Sequence, residues 1–178
     1  MRLFLAIELP KKVKRELYNQ LELLIKKYPQ FNWVSEENFH VTIHFFGERN
    51  DVKEIKNKIK DILWDQEGFY LYSFGLDIFV NHKLVIYLNF QRQKKIEELA
   101  RVVKENFDKN SINTRRFIPH LTLGRGLRSS KQQYFALQKK LAKINIDISF
   151  HVKKIVLYQS ILTSIKPVYK KLASFSLN

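Results

Sequence analysis

The chain has 178 residues, about 1.2 times a typical domain, and its 45% hydrophobic and 28% charged residues exclude a largely disordered protein and favour one domain over 1–178. Cysteine is absent, which excludes disulfides, thiolate nucleophiles, cysteine zinc sites and iron–sulfur clusters. The formal charge of +15 favours a polyanionic partner, nucleic acid before membrane, although a basic surface that serves solubility alone is the alternative.

The chain begins with a short apolar segment that does not have the pattern of a signal peptide. Pro10 interrupts the segment, and four charged residues follow between Lys11 and Arg15. No run of 18 apolar residues occurs anywhere in the sequence, so a transmembrane helix is not expected. We therefore expect a soluble cytoplasmic protein with no membrane association.

Apolar periodicity predicts strands and helices that mix without strict alternation. Strands, with period-two or continuous apolar patterns, are predicted at Arg2–Leu9, Phe31–Val34, Phe39–Phe46, Phe69–Val80, Leu84–Phe90, Phe117–Leu123, Ile146–Val152, Lys154–Leu162 and Val168–Leu177. Helices are predicted from Pro10 to about Tyr28, from an Asp51 cap through Leu63, from Gln93 to Asp108 and from Ser130 to Lys143. A hairpin turn is predicted at 81–83. This order indicates an α+β fold, and no linker or low-complexity segment divides the chain.

One pattern, His-x-Thr-aliphatic, occurs once in each half of the chain. The first copy lies within Phe39–Ile43 and the second within Pro119–Leu123, so the two histidines stand 80 positions apart. A glycine follows each copy shortly afterwards, at Gly47 and Gly124. This similarity predicts two strands related by duplication, with equivalent groups converging on one site.

Alternation along a strand decides which side chains the two copies present together. Residues two apart lie on one face, about 6.6–6.8 Å from each other. His40 therefore shares a face with Thr42, and with His44 beyond it, while His120 shares a face with Thr122. The same rule assigns Phe45 to the opposite, apolar face.

The shared face would offer two imidazoles and two hydroxyls to one site. Imidazoles titrate near neutral pH and can divide the roles of acid and base. The hydroxyls of Thr42 and Thr122 can donate to phosphate oxygens, and Arg125 can neutralise a phosphate. This set suits cleavage of a phosphodiester without metal or cofactor. Two alternatives are that each histidine is an ordinary strand residue, or that the pair binds a metal ion, although no acidic residue accompanies either copy.

The sequence resembles the two-histidine (2H) phosphoesterase superfamily, and within it the RNA 2′,3′-cyclic phosphodiesterases, also called 2′-5′ RNA ligases. The resemblance covers nearly the whole chain and is carried by RLFLAIELP, Trp33-Val34, FHVTIHFFGE, FIPHLTLGR, IVLYQSIL and VYKKLASFSL. It implies a bilobal fold with two pseudo-symmetric lobes of antiparallel strands, outer helices and a central cleft. The segment Thr163–Val168 departs from the family because it lacks the glycine that often precedes the closing tyrosine, here Tyr169.

Carried over by position, the resemblance implies that His40 is the proton donor and His120 the proton acceptor. It implies that Thr42, Thr122 and Arg125 hold the phosphate. Phe45 matches a position that stacks on the nucleobase, which conflicts with its place on the rear face by simple alternation. Two further arginines, Arg115 and Arg116, are candidate contacts for the RNA backbone, and an ordinary basic turn is the alternative.

The resemblance implies hydrolysis of a terminal RNA 2′,3′-cyclic phosphate to a 2′-phosphate, together with reversible 2′-5′ ligation of RNA ends. The expected partners are RNAs with cyclic phosphate ends, tRNA fragments among them, and the expected state is a monomer. A basic RNA-binding module without activity is a second hypothesis. A cyclic phosphodiesterase or exonuclease acting on another nucleotide substrate is a third.

Overall fold

Two antiparallel sheets and four helices make up the described residues, which are 1–80, 83–108, 117–127, 130–164 and 166–178 of a computed structural model. The strands are β1 (Arg2–Glu8), β2 (Asn32–Trp33), β3 (His40–Glu48), β4 (Phe69–Val80), β5 (Leu84–Phe90), β6 (His120–Gly126), β7 (Ser149–Val152), β8 (Lys154–Ile161) and β9 (Val168–Ser176). The helices are α1 (Lys11–Lys27), α2 (Val52–Leu63), α3 (Lys94–Phe107) and α4 (Lys131–Leu141), and a 3-10 turn covers Glu36–Asn38. None of the described helices is both long and apolar enough to cross a membrane.

The two sheets are built on the same plan. The first sheet has the order β3-β1-β8-β9 and the second has β2-β6-β5-β4-β7, with antiparallel neighbours throughout. In each sheet a strand carrying one His-x-Thr copy, β3 or β6, pairs with a central strand, β1 or β5, and a helix joins the two in sequence. The predicted α+β class and the two pseudo-symmetric lobes are thus confirmed.

One predicted helix cap and two predicted strand bounds differ from the structure for identifiable local reasons. Asp51 precedes α2 but makes no side-chain cap bond, because its carboxylate binds the Arg49 guanidinium. β6 begins at His120 rather than Phe117, since Pro119 just before it has no N–H for a ladder. β7 begins only at Ser149, because the Ser73 hydroxyl, rather than a backbone group, donates to the Ile146 carbonyl and accepts from the Ile148 N–H.

The rear faces of both sheets share one hydrophobic core. Leu5 and Ile7 of β1 and Ile86 and Leu88 of β5 are each 0% exposed and belong to the same contact cluster. The helices cover this core with amphipathic stripes, as the predicted 3.6-residue periodicity requires. The front face of the first sheet carries a second, smaller cluster, which consists of Phe4, Ala6, Val156 and Tyr158 with Tyr169 packed against it.

A short segment between α1 and β3 ties the first half of the chain to the second sheet. Trp33 of β2 pairs with Gly124 of β6, and the Val34 N–H donates to the Leu123 carbonyl at 2.8 Å. Phe31 packs so closely that a Cβ on Gly126 would lie 2.6 Å from its ring. The absence of a side chain at 126 therefore permits this contact beside the second His-x-Thr strand.

We expect Gly126→Ala to lower the free energy of unfolding by about 1–3 kcal/mol, because the added methyl group overpacks the buried Phe31 ring. Urea unfolding measures the change. In a Phe31→Leu background the same substitution should cost clearly less, since a smaller side chain leaves room. Additive losses in the double variant would contradict this account of the contact.

Candidate active site

Each His-x-Thr strand contains a β-bulge at the same position. In β3, Thr42 lies opposite Ala6 and His44 lies opposite Leu5, so Ile43 is an extra residue. In β6, Thr122 lies opposite Tyr87 and Gly124 opposite Ile86, so Leu123 is the extra residue. An extra residue reverses the alternation of every residue that follows it. The two strands therefore depart from simple alternation in the same way.

The bulges correct the predicted faces of two residues and set the face of a third. Phe45 lies on the front face with His40, as its 69% exposure and its 6.0 Å ring contact with Phe4 indicate. His44 lies on the rear face instead, where it is 8% exposed and its Nε2 stands 3.6 Å from Asp108. Arg125, the counterpart of Phe45, is exposed beyond the second bulge. The period-two placement of Phe45 and His44 was wrong, because alternation holds only in a regular strand.

Both imidazoles are fixed by the same backbone contact. His40 Nδ1 lies 2.7 Å from the carbonyl of Asn38, and His120 Nδ1 lies 2.9 Å from the carbonyl of Ile118, in each case two residues earlier. Because a carbonyl can only accept, each Nδ1 carries a proton and donates it. The neutral ring then has an unprotonated Nε2, which can accept a proton, and the charged ring can donate one from the same atom.

Aromatic rings hold each imidazole in place on the front faces. Phe4 and Tyr169 contact the His40 ring at 5.1 and 5.2 Å between centroids. Phe79 and Tyr87 contact the His120 ring at 5.5 Å each. These contacts restrict rotation of the two rings. The sequence does not predict Phe4, Phe79 or Tyr87 as site residues and marks Tyr169 only as the closing tyrosine, since no local pattern marks a ring that approaches from another strand.

The electrostatics of His40 indicate that the two front faces meet. The pKa of His40 is lowered to about 4, first by burial, and then by the charges of Lys14, His120 and Arg125, although the bond to Asn38 opposes the shift. Arg125 also acts on the Tyr169 hydroxyl, whose pKa is raised by burial. Groups on the second sheet thus influence groups on the first, and both His-x-Thr copies border one cleft.

A buried lysine of α1 contacts the 3-10 turn and the strand that pairs with the first motif. Lys14 is 8% exposed, and its Nζ donates to the Glu37 carbonyl at 2.7 Å and lies 3.7 Å from the Glu8 carboxylate. Glu8 pairs with His40 across β1 and β3 and also contacts Lys154 and Lys171. Burial raises the pKa of Glu8, but these three lysines outweigh it and lower the pKa overall.

Of the remaining predicted site residues, two lie at the cleft and two lie outside the residues that the structure describes. Thr42 and Thr122 are half-buried, two residues after each histidine and before each bulge, so they share its front face. Arg115 and Arg116 lie outside the described residues.

In the segment without the family's glycine, the Thr163 hydroxyl donates to the Lys166 carbonyl at 2.6 Å, and the Pro167 carbonyl accepts from the Asn38 side chain at 3.0 Å. This segment thus contacts the residue that orients His40.

The assembled groups can perform acid–base chemistry on an anion. Two imidazoles with available Nε2 atoms, two hydroxyls and one guanidinium border the cleft, and Lys14, His120 and Arg125 place positive charge near His40. Within the described part of the chain, no three histidine, aspartate or glutamate side chains cluster as metal ligands would.

Comparisons with known proteins agree with this geometry. The chain is 29% identical to the RNA 2′,3′-cyclic phosphodiesterase of Thermotoga maritima, over 97% of this chain and 93% of the relative. It is 28% identical to the enzyme of the same name from Methanothermobacter thermautotrophicus, over 99% of both chains. The fold matches a Thermus thermophilus protein with a TM-score of 0.80 at 21% identity, covering 99% of this chain and 98% of the other. It matches Escherichia coli LigT complexed with 3′-AMP with a TM-score of 0.77 at 22% identity, covering 99% and 97%.

A match to a protein-family model assigns the chain to a family, and the individual relatives support this assignment. The family model describes a superfamily, covers most of the chain from α1 to the end of β8, and includes both His-x-Thr copies. Residues 11–161 match it, and the chain belongs to the 2′-5′ RNA ligase superfamily.

Proposed function

We propose that the protein is an RNA 2′,3′-cyclic phosphodiesterase that opens a terminal cyclic phosphate by acid–base catalysis with His40 and His120. The observation that carries the proposal is the matched anchoring of the two rings, each through Nδ1 to the carbonyl two residues earlier. Relatives that bear this name align over nearly the whole chain and support the substrate class.

The proposed reaction divides two proton transfers between the two rings. His120 Nε2 accepts a proton from water as the water attacks phosphorus. His40 Nε2 donates a proton to the ribose 3′ oxygen as the bond from phosphorus to that oxygen breaks. In-line displacement needs these groups on opposite sides of the phosphorus, which suits one ring from each sheet. The product carries a 2′-phosphate and a free 3′ hydroxyl. The same ring opening, with the 5′ hydroxyl of a second RNA attacking in place of water, would form a 2′-5′ linkage.

Thr42, Thr122 and Arg125 bind the phosphate in this proposal. The hydroxyls donate to the non-bridging oxygens, and the guanidinium offsets the charge that builds up on them in the transition state. Phe45, exposed on the same face, provides a ring surface for the terminal base. Each of these groups follows its histidine at the same interval in both halves.

His40 must gain a proton when the substrate binds. Its pKa of about 4 means that the ring is neutral at pH 7 in the free protein. A bound phosphate anion near Nε2 favours the charged ring and opposes the influence of Lys14 and Arg125. The acid form therefore develops together with the complex, which ties proton uptake to the presence of substrate.

Replacing either histidine by alanine should lower kcat/KM on a 2′,3′-cyclic mononucleotide by about 10²–10⁴-fold, because each ring carries one proton transfer. Thermal unfolding of each variant reports whether the fold is kept. Activity of the natural protein should persist in EDTA, since the proposed steps use no metal. If either folded variant keeps more than about a tenth of the activity, the two-histidine mechanism is wrong.

A substrate with sulfur in place of the bridging 3′ oxygen should separate the two roles. A thiolate leaves without protonation, so His40→Ala should lose little activity on this substrate while losing it on the oxygen substrate. His120→Ala should lose activity on both, because attack by water still needs a base. Product analysis by phosphorus NMR should show a 2′-phosphate from the oxygen substrate. If His120→Ala rather than His40→Ala keeps its activity on the sulfur substrate, the roles of the two histidines are exchanged. A 3′-phosphate product would show that the 2′ oxygen is the leaving group.

Lys14→Met should raise the pKa of His40 and shift the acid limb of the kcat/KM profile to higher pH. The substitution removes a positive charge that disfavours the protonated ring, so protonation occurs at a higher pH. An NMR titration of His40 measures the shift directly. Lys60→Met, which removes one exposed charge from α2, is the matched control and should leave the titration unchanged. An unchanged or lowered pKa in Lys14→Met would contradict the electrostatic account.

A further inference from the structure

A row of aromatic side chains lies on the second sheet, beyond the catalytic groups. Tyr72, Tyr70 and His151 form a continuous stack, with centroids 6.0 and 4.8 Å apart and interplanar angles of 23° and 25°. Phe74 continues the row along β4. Three of these rings are notably exposed, Tyr70 by 51%, Tyr72 by 47% and Phe74 by 74%. We call these four residues the ring row.

The strand register places the ring row on the same face as His120. Asn89 of β5 lies opposite both His120 and Gly75, so these three residues share a face and a level. A bulge at Phe74 separates Gly75 from Ser73, which lies opposite the buried Phe90.

Beyond this bulge, the alternation of β4 sends Leu71 and Phe69 into the rear core, where they are 0% and 6% exposed. Tyr70 and Tyr72 alternate with them and therefore face the front. Tyr70 pairs with His151 across β4 and β7, so that ring is on the front face as well. The row is thus continuous with the cleft.

The spacing from His120 to the ring row suits a short length of nucleic acid. β4 lies two strands from β6, a lateral distance of about 10 Å at a strand spacing of about 4.8 Å. Phe74 and Tyr72 lie one to three residues further along the strand than Gly75. A nucleotide whose phosphate is bound between the histidines cannot cover this distance alone, but the nucleotides next to it can.

The chemistry around the ring row suits RNA. Gln91 donates its backbone N–H to the Tyr72 carbonyl at 2.8 Å, and the Gln93 side chain donates to the Tyr70 carbonyl at 3.3 Å. The same segment carries Arg92 and leads into Lys94 and Lys95 at the start of α3, with Arg92 and Lys95 paired to Glu97 and Glu67. Cations thus border exposed rings in a chain of net charge +15. A basic surface interleaved with aromatic rings is the usual means of binding single strands.

Cross-strand stacking stabilises sheets, but it does not account for the open end of the row. Among the ring contacts of the described residues, Tyr72 takes part only in the one with Tyr70, and Phe74 takes part in none. One face of Tyr72 and most of Phe74 are therefore available to another flat group. This end of the row is the one nearer to His120.

We propose that the ring row is a subsite for the single-stranded RNA that precedes the terminal cyclic phosphate, with bases stacked on Tyr72 and Phe74. This inference rests on the proposed function, because it takes the cyclic phosphate to lie between His40 and His120. It makes the protein selective for an RNA chain over a mononucleotide, through contacts that the reacting nucleotide does not make.

The subsite is tested by comparing the activity of the full-length protein on two substrates, one with a chain of RNA and one without. Tyr72→Ala should lower kcat/KM on a hexaadenylate with a 2′,3′-cyclic phosphate end by about 5- to 150-fold, the range expected for one lost base stack. The same variant should act on 2′,3′-cyclic AMP within twofold of the natural protein. Tyr72→Phe should retain activity on both, because it keeps the ring. Trp64→Ala removes a ring that is 77% exposed at the end of α2, outside both sheets, and should change neither activity.

Equal losses on the two substrates, or no loss on the hexaadenylate, would overturn the subsite. If the natural protein hydrolyses neither 2′,3′-cyclic AMP nor the hexaadenylate, the proposed function fails. Fluorescence anisotropy with a labelled hexaadenylate then tests RNA binding by the ring row on its own. Weaker binding by Tyr72→Ala, with unchanged binding by Trp64→Ala, would support an RNA surface. Equal binding by all three proteins would reject it.

Discussion

The site depends on one backbone device, the bulge that follows the threonine of each His-x-Thr strand. A bulge places one extra residue against the partner strand and reverses the alternation beyond it. In β3 the reversal sends His44 into the interior and Phe45 to the cleft, and in β6 it does the same for Gly124 and Arg125. Each motif thereby presents three of the proposed site residues on one face from only six residues. A regular strand would have buried the third.

Charge is the second constraint, because the cleft gathers cations. Lys14, His120 and Arg125 all disfavour protonation of His40, and burial disfavours it further. A site of this kind binds an anion readily, and the anion in turn stabilises the charged imidazole. Glu8 limits the accumulation of charge by binding Lys14, Lys154 and Lys171 beside the first motif. The protonation of His40, the proposed acid, therefore depends on its surroundings rather than on the ordinary pKa of histidine.

The two front faces differ in what surrounds the proposed catalytic residues. The first sheet has a compact aromatic cluster beneath His40, in which Phe4 and Tyr158 are buried. The second sheet has rings that remain exposed and continue outward along β4 to β7. Pseudo-symmetry thus applies to the two His-x-Thr strands and ends beyond them. This difference gives the cleft a direction along which a polymer can lie.

The sequence by itself determined the α+β class, most strand and helix positions, and the paired motifs, because these depend on local periodicity and on residue types that recur at fixed spacing. His40, Thr42, His120 and Thr122 could be selected from the pattern alone. The tertiary structure decided the face of Phe45, the burial of His44, and the contacts of Lys14, Tyr169, Phe79 and Tyr87. A bulge is defined by the register with a partner strand, and a depressed pKa by charges on other elements. Both come from residues distant in the chain, which no local pattern records.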